Sequence, residues 1–399
     1  MSDWIEVRLG DICEFISRGI TPNYSDDGIL VLNQKCIRDN RVNSALGRYT
    51  AIDTKINPSK LLKNGDILIN STGTGTLGRV SIFKGASDCV TVDGHVTILR
   101  AQKSVSPVYL GYFLHSIEPL IENLGRGSTN QKELSTGDLK RIRIVLPDIT
   151  TQNKVAEQLS VFDSMIDNNS GRIELLERAA QELYKEWFVR FRFPGYENTK
   201  FENGLPEGWK IKRMNEFCYV TDGTHDTPKP VDVGVPLVTG RCISSGFVDF
   251  DAAYNISEAD HEGIKKRSGL KSGDILFSII GTVGNCCIVD YDREFSVKNV
   301  IIFKPETMRD TAYLYYWMTS STMQEIFGAQ TNGASQLFVG LTFMRRYKLL
   351  VPKDDILEAF ADKVLPIMEQ KRLLHQKNLN LAVQRDMLLP RLMSGKLEV

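Results

Sequence analysis

Nowhere in this chain do eighteen apolar residues run together, and MSDWIEVRLGDI at the start has no apolar signal-peptide core. The expectation is a cytoplasmic protein, neither exported nor membrane-spanning. The seven cysteines, Cys13, Cys36, Cys89, Cys218, Cys242, Cys286 and Cys287, are odd in number and form no C-x-x-C pair. They point away from a disulfide framework or a zinc site and towards buried thiols in a reducing compartment. The five histidines are scattered, without H-x-x-x-H or H-E-x-x-H spacing, so no metal site is expected. There is no G-x-x-x-x-G-K-[ST] segment for ATP and no D/N-P-P-Y tetrapeptide of an adenine methyltransferase. Net charge is also lacking: 49 Lys and Arg balance 49 Asp and Glu. That lowers the prior for a nucleic-acid binder working by bulk electrostatics; any such binding must come from local patches or be shared with a partner.

What is present is a rod. From residue 151 to 191 the positions Val155, Leu159, Phe162, Ile166, Asn169, Ile173, Leu176, Ala180, Leu183 and Trp187 alternate by four and three without a slip, as in a coiled coil. Thr150 or Thr151 is the expected N-cap. About 40 residues at ~1.5 Å each span roughly 60 Å. Asp167 to Gly171 alone would read as a turn, yet the heptad phase is the same on both sides, which predicts an unbroken helix with Asn169 on its seam.

The rod recurs because the chain is duplicated, with a period of about 205 residues, too long for a solenoid. Trp4 answers Trp209. Lys63 to Ile69 answers Lys271 to Phe277, Gly75-Thr76-Leu77-Gly78 answers Gly281-Thr282-Val283-Gly284, and Ile144 to Pro147 answers Leu349 to Pro352. Each copy opens with short alternating segments that read as β-strands, continues with helix near residues 109–123 or 311–327, and ends in the rod. The second rod, from about Asp355 to Leu392, has Asp355 and Glu358 spaced for a capping box and two prolines, Pro366 and Pro390, that should bend it. Its seam is Phe360, Val364, Ile367, Lys371, Leu374, Asn378, Leu381, Arg385, Leu388 and Leu392; with three polar positions it should pair best with the first rod. The fold class expected is α+β: two similar α/β domains separated by two long helices packed as an antiparallel coiled coil. Residues 1–149 and 194–353 are the domains, 150–193 and 354–399 the helical spacers, and 190–209 a linker. The first rod has the richer seam, which predicts that residues 1 to about 200 alone would self-associate.

Gly73-Thr74-Gly75-Thr76-Leu77-Gly78 matches G-x-G-x-x-G, but a strand-like stretch follows it and no acid lies about 20 residues on, so a tight turn is expected and no cofactor. More informative are polar clusters recurring at matching places. Arg126, Ser128, Thr129, Asn130, Gln131 and Lys132 answer Thr331, Asn332, Ser335 and Gln336; Lys35, Arg38 and Arg41 answer Arg241; Thr21 answers Thr224, His225 and Thr227. Such amides, hydroxyls and cations reach phosphates and base edges. Because the side chains differ between copies, they suggest two related readers of different targets.

At this point the chain resembles the specificity (S) subunit of type I restriction-modification systems over its whole length. The markers are W-x-x-x-x-L-G-D-I at Trp4 to Ile12, the paired G-D-I-L and G-T-x-G segments, Arg126 to Thr129, Lys185 to Phe191, and Leu388 to Gly395. The second copy departs at Met214-Asn215-Glu216, where the first has Leu9-Gly10-Asp11. The resemblance implies two target-recognition domains, each reading one half of a split double-stranded DNA site. It implies no catalysis by this chain, two methyltransferase subunits as partners, and two translocase-nuclease subunits in the full enzyme. The alternative is a fused or cofactor-binding DNA methyltransferase hung on Gly73 to Gly78.

Overall fold

The computed structural model describes residues 4–38, 40–73, 75–85, 89–127, 132–244, 246–280, 283–331 and 340–397, with backbone only for Gln330 and Thr331. It divides into two compact units, residues 1–168 with 377–399, and residues 169–376. Both long helices pass from one unit to the other, so the units do not end where the helices begin.

In the first unit the strands Cys13–Arg18, Val96–Ala101, Ile67–Asn70 and Val80–Ile82 form one antiparallel sheet, in that spatial order. A second sheet pairs Val90–Val92 in parallel with Ile29–Leu32, followed by Arg48–Thr50 and Tyr24–Ser25. Ile5–Arg8 and Arg143–Leu146 close the domain as an antiparallel ribbon. The second unit repeats this plan. Tyr219–Asp222, Val300–Lys304, Ile275–Ser278 and Cys286–Ile288 make the antiparallel sheet; Ser296–Lys298 runs parallel to Val235–Thr239; and Lys210–Arg213 pairs with Lys348–Val351. The duplication read in the sequence is thus a duplication of topology.

The repeated Gly-Asp-Ile-Leu segment is structural. Gly65 and Gly273 sit at φ 89° and 90°, where a side chain would be strained. The following aspartates accept from the backbone amides of Lys63 (2.8 Å) and Lys271 (2.9 Å), closing the turn before the central strand. Each aspartate is buried and needs a cation: Asp66 holds Arg100 through two bonds of 2.8 and 2.6 Å, and Asp274 pairs with Lys304. Burial accounts for most of the thiols: six of the seven cysteines are buried and Cys89 is exposed. Desolvation pushes Cys13 and Cys218 up to about 12, which makes them unreactive.

The central helix spans Ile149–Tyr184, runs through residues 167–171 without a turn, and continues as a π-helical turn, Lys185–Val189. Its cap is Asp148 rather than a threonine. The carboxylate accepts from the Thr151 hydroxyl (2.6 Å) and from the amides of Thr151 (3.1 Å) and Thr150 (2.9 Å), and these bonds, the hydroxyl's first, hold its pKa below the usual carboxylate range. The C-terminal helix, Asp354–Met393, continues past Pro366 and Pro390. The expected capping box does not form: Asp355 accepts from Ile356, while Glu358 reaches Arg309 at 3.4 Å.

All twenty predicted seam residues are buried or half-buried. In the first unit Asp163 meets Arg385 and the Ile166 carbonyl meets Asn378; in the second Glu177 meets Lys371 and Phe188 packs on Phe360. As numbers rise along one helix they fall along the other, so the segments are antiparallel within each unit. The stretch expected as a linker contributes to the second core instead: Phe193 and Trp209 are buried with ring centroids 5.1 Å apart, and Phe201–Glu202 pairs with Leu205–Pro206.

Candidate nucleic-acid interface

In each unit, the first strand of the antiparallel sheet ends beside the tight turn that joins one strand of the parallel pair to the next strand of the antiparallel sheet, after Val92 in the first unit and after Lys298 in the second. In the first unit Gly19 and Ile20 donate to the carbonyls of Val96 (3.1 Å) and Val92 (2.9 Å). An added Cβ at Gly19 would lie 2.0 Å from the Val92 carbonyl oxygen, so only glycine fits. Gly223 in the second unit meets the Val297 oxygen in the same way, at 2.1 Å. The residues that follow, Thr21 and His225, are exposed. This shared backbone geometry presents different side chains at the same place.

Around it in the first unit lie Arg18, Thr72, His95, Arg126 and Glu133. Arg126 and Glu133 bond each other's backbone at 3.0 and 2.8 Å, holding the base of the segment that contains Ser128, Thr129, Asn130 and Gln131. Those four residues lie outside the described residues, whereas Lys132 is exposed. Arg18 donates to the Leu134 carbonyl at 2.7 Å and pairs with Glu133, Arg126 pairs with Asp138 at 3.1 Å, and Thr72 meets His95 Nδ1 at 2.8 Å. In the second unit His225 bridges Asp222 (2.8 Å) and Asn299 (2.9 Å), Arg267 pairs with Asp222, and Lys298 donates to Thr227 at 2.5 Å. Asn299, then Asp222, raise the His225 pKa above its ordinary value, because both accept from the charged ring.

The other expected site residues separate. Lys35 and Arg241 occupy matching 3-10 turns, Gln34–Cys36 and Gly240–Cys242; both are exposed, and no carboxylate pairs with either among the described residues. Arg38 is exposed on the next strand. Arg41 turns to the central helix and pairs with Asp167 at 2.8 Å. Thr224 is buried, and its hydroxyl accepts from the Asp226 amide at 3.1 Å, so it shapes the turn and is shielded from solvent. Asn332, Ser335 and Gln336 lie outside the described residues, as does the side chain of Thr331.

Sequence reading passed over Arg18, Thr72, His95, Lys298 and Asn299. The available signal was the repeat itself, since Asp93-Gly94 answers Lys298-Asn299 at the same offset.

Gly73, Gly75 and Gly78 lie between the paired antiparallel strands Ile67–Asn70 and Val80–Ile82. Gly73, Gly75 and Gly78 have φ of 104°, 73° and 87°, and Val80–Ile82 follows as a strand. That is a turn rather than a strand-to-helix phosphate cradle. One group of metal-ligand type exists among the described residues, His261, Glu262 and Glu294, with donor atoms within 4.8 Å of one another. Lys265 already supplies the positive charge there, 2.7 Å from Glu294 and 3.6 Å from Glu262. No helix of the described residues is long and apolar enough to cross a membrane.

Residues 1–178 match the family model described as type I restriction modification DNA specificity domain. The chain is similar to type I restriction-modification specificity subunits. It is similar to the MjaIX specificity subunit of Methanocaldococcus jannaschii, 27% identical over 358 residues, covering 85% of this chain and 79% of that one. It is also similar to the HindI specificity subunit of Haemophilus influenzae, 21% identical over 467 residues and the full length of both. The crystal structure of the S subunit from M. genitalium shares the fold, with a TM-score of 0.53 at 16% identity, covering 98% of this chain and 96% of that one.

Proposed function

We propose that each unit reads one half of a bipartite, asymmetric double-stranded DNA site. The single observation carrying this is the shared glycine-tight turn that presents Thr21 in one unit and His225 in the other, within a common topology. Similar scaffolds with different polar rims are what two readers of unlike half-sites require. The rim arginines Arg18, Arg126 and Arg267 are each neutralised by a neighbouring carboxylate, which fits a chain whose grip on phosphate is shared with partner subunits.

The recognition domains are residues 1–149 and 194–353, and residues 150–193 and 354–399 are helical spacers that set the unread gap. The spacers also dock two methyltransferase subunits, with two restriction subunits joining in the full enzyme. Support for docking comes from Leu379, Val383 and Met387, exposed at four-residue spacing on one helix face, and from Val161 and Met165 exposed on the central helix. The chain itself carries no reaction.

The test is methylome sequencing of a host carrying this chain with its methyltransferase partner. The expected result is one split, non-palindromic motif. Replacing residues 1–149 with those of another such subunit should change one half of it only. A palindromic motif in the unaltered protein, or a swap that changes both halves, rejects the reading.

A further inference from the structure

Each unit contains an ion pair between the two long helices, fully buried in the first and half-buried at its acid in the second. In the first, Asp163 and Arg385 meet at 2.6 Å with both side chains 7% exposed; Tyr112 (2.5 Å) and Asn40 (3.2 Å) donate to the other carboxylate oxygen. In the second, Glu177 meets Lys371, whose ammonium also lies 5.5 Å from the Tyr315 ring centre. The two pairs have the same polarity. The acid comes from the central helix and the base from the C-terminal helix in both.

We propose that this polarity is a pairing code: the central helix accepts a helix of the C-terminal type, bearing two bases, and rejects a second copy of itself. The duplication supplies the argument. At the repeat offset, the places of Lys371 and Arg385 are held in the central helix by Ile166 and Ala180. Two central helices paired antiparallel in the same register would set Glu177 against Ile166 and Asp163 against Ala180. Such a dimer sets four carboxylates beside the seam, the two Asp163 groups buried and the two Glu177 groups half-buried, with no matching cation, and taking a charge out of water without a partner is strongly unfavourable. Two C-terminal helices fail in the opposite sense, because Met368 and Ala382 stand where the acids should be. The apolar seam alone, which favours self-association of the first half, is therefore overruled by charges beside it. One consequence is that halves of different subunits can be combined only when both obey the same polarity.

The test uses the full chain in three forms: Asp163→Lys with Glu177→Lys, Lys371→Glu with Arg385→Glu, and all four changes together. Both double variants should melt earlier than the wild type, and the fourfold variant should recover towards it, because a reversed code is still matched. Choice of partner is then read by titrating labelled synthetic peptides into the Lys371→Glu, Arg385→Glu chain, whose own C-terminal helix no longer matches. The peptide of residues 354–393 should bind at least about 10-fold more tightly than the peptide of residues 149–189. It should also outbind a 354–393 peptide carrying Lys371→Glu and Arg385→Glu. A central-helix peptide that binds equally well overturns the proposal. So do double variants as stable as wild type, or a fourfold variant no better than the doubles.

Discussion

The two units share the four-stranded antiparallel sheet, the parallel strand pair and the closing ribbon, yet they are filled differently. The first packs its helices mainly with Val155, Leu159, Leu389 and Leu392, whereas the second uses Tyr184, Trp187, Phe188, Trp209, Tyr313 and Phe360, with Phe188 edge-on to both Tyr313 and Phe360 at 4.9 Å. Position by position the polar groups also change. Arg100 on Asp66 becomes Lys304 on Asp274, whereas the Asp163–Arg385 pair has Met368 and Ala180 at its repeat positions and the second unit's pair, Glu177–Lys371, stands elsewhere along the helices. Tyr112 donates to Asp163, while Tyr316 at the corresponding place is buried with no hydrogen-bond partner for its hydroxyl among the described residues. The difference teaches that this topology demands filled volume and paired charge at given places but is indifferent to which side chains provide them.

That comparison is broken most forcefully at the ion pairs. Arg385→Leu leaves Asp163 buried and unpaired and should destabilise the first unit by about 3–5 kcal/mol. Lys371→Leu should cost less, because the Glu177 side chain is 22% exposed against 7% for Asp163 and can recover water. Chemical unfolding followed separately in each unit checks the ranking; equal losses would remove the distinction. The tyrosines come next. Tyr112→Phe gives up a bond to a carboxylate and should cost about 1.5–3 kcal/mol. Tyr316→Phe deletes an unsatisfied buried hydroxyl and should be neutral or stabilising by up to about 1 kcal/mol.

A functional contrast follows at comparable or smaller scale. Arg126, Thr129 and Gln131 changed to Ala should weaken reading of one half-site by about 1–3 kcal/mol per lost base contact, and Asn332, Ser335 and Gln336 changed to Ala the other. Competition binding of the assembled methyltransferase to DNA altered in one half at a time measures it, and equal effects on both halves would contradict independent reading. Lys35→Ala and Arg241→Ala should instead weaken all sequences alike and lower the salt slope by about 1 each.

The smallest effect is a pH dependence confined to the second unit. His225 has a raised pKa in the folded protein, so its bonds to Asn299 and Asp222 contribute fully below the ordinary histidine range, near 6.5, and the contribution fades as pH rises through the raised value. His225→Thr, which installs the type of residue found at the matching first-unit position, should abolish that portion of the pH profile. A melting-temperature difference between wild type and variant that does not shrink with rising pH would refute the assignment.

Much of the architecture was legible because it is periodic. Period-two strands, the four-three seam and the 205-residue offset are properties of spacing, and spacing survives in a string of letters. Individual side-chain partners were not legible. Arg41 and Arg126 read alike as surface cations, yet one faces Asp167 on the central helix and the other Asp138 beside the rim. Thr224 read as a DNA-facing hydroxyl, but the turn that it builds consumes that hydroxyl.

By itself, then, the sequence determined the duplication, the sheet-forming segments and two unbroken amphipathic helices, since each follows from local propensity and the regular recurrence of apolar residues. Only the tertiary structure decided which charges are spent inside the protein. Asp163, 222 residues before Arg385 in the chain, becomes its partner because antiparallel packing closes that distance, and burial makes each charge unfavourable without the other.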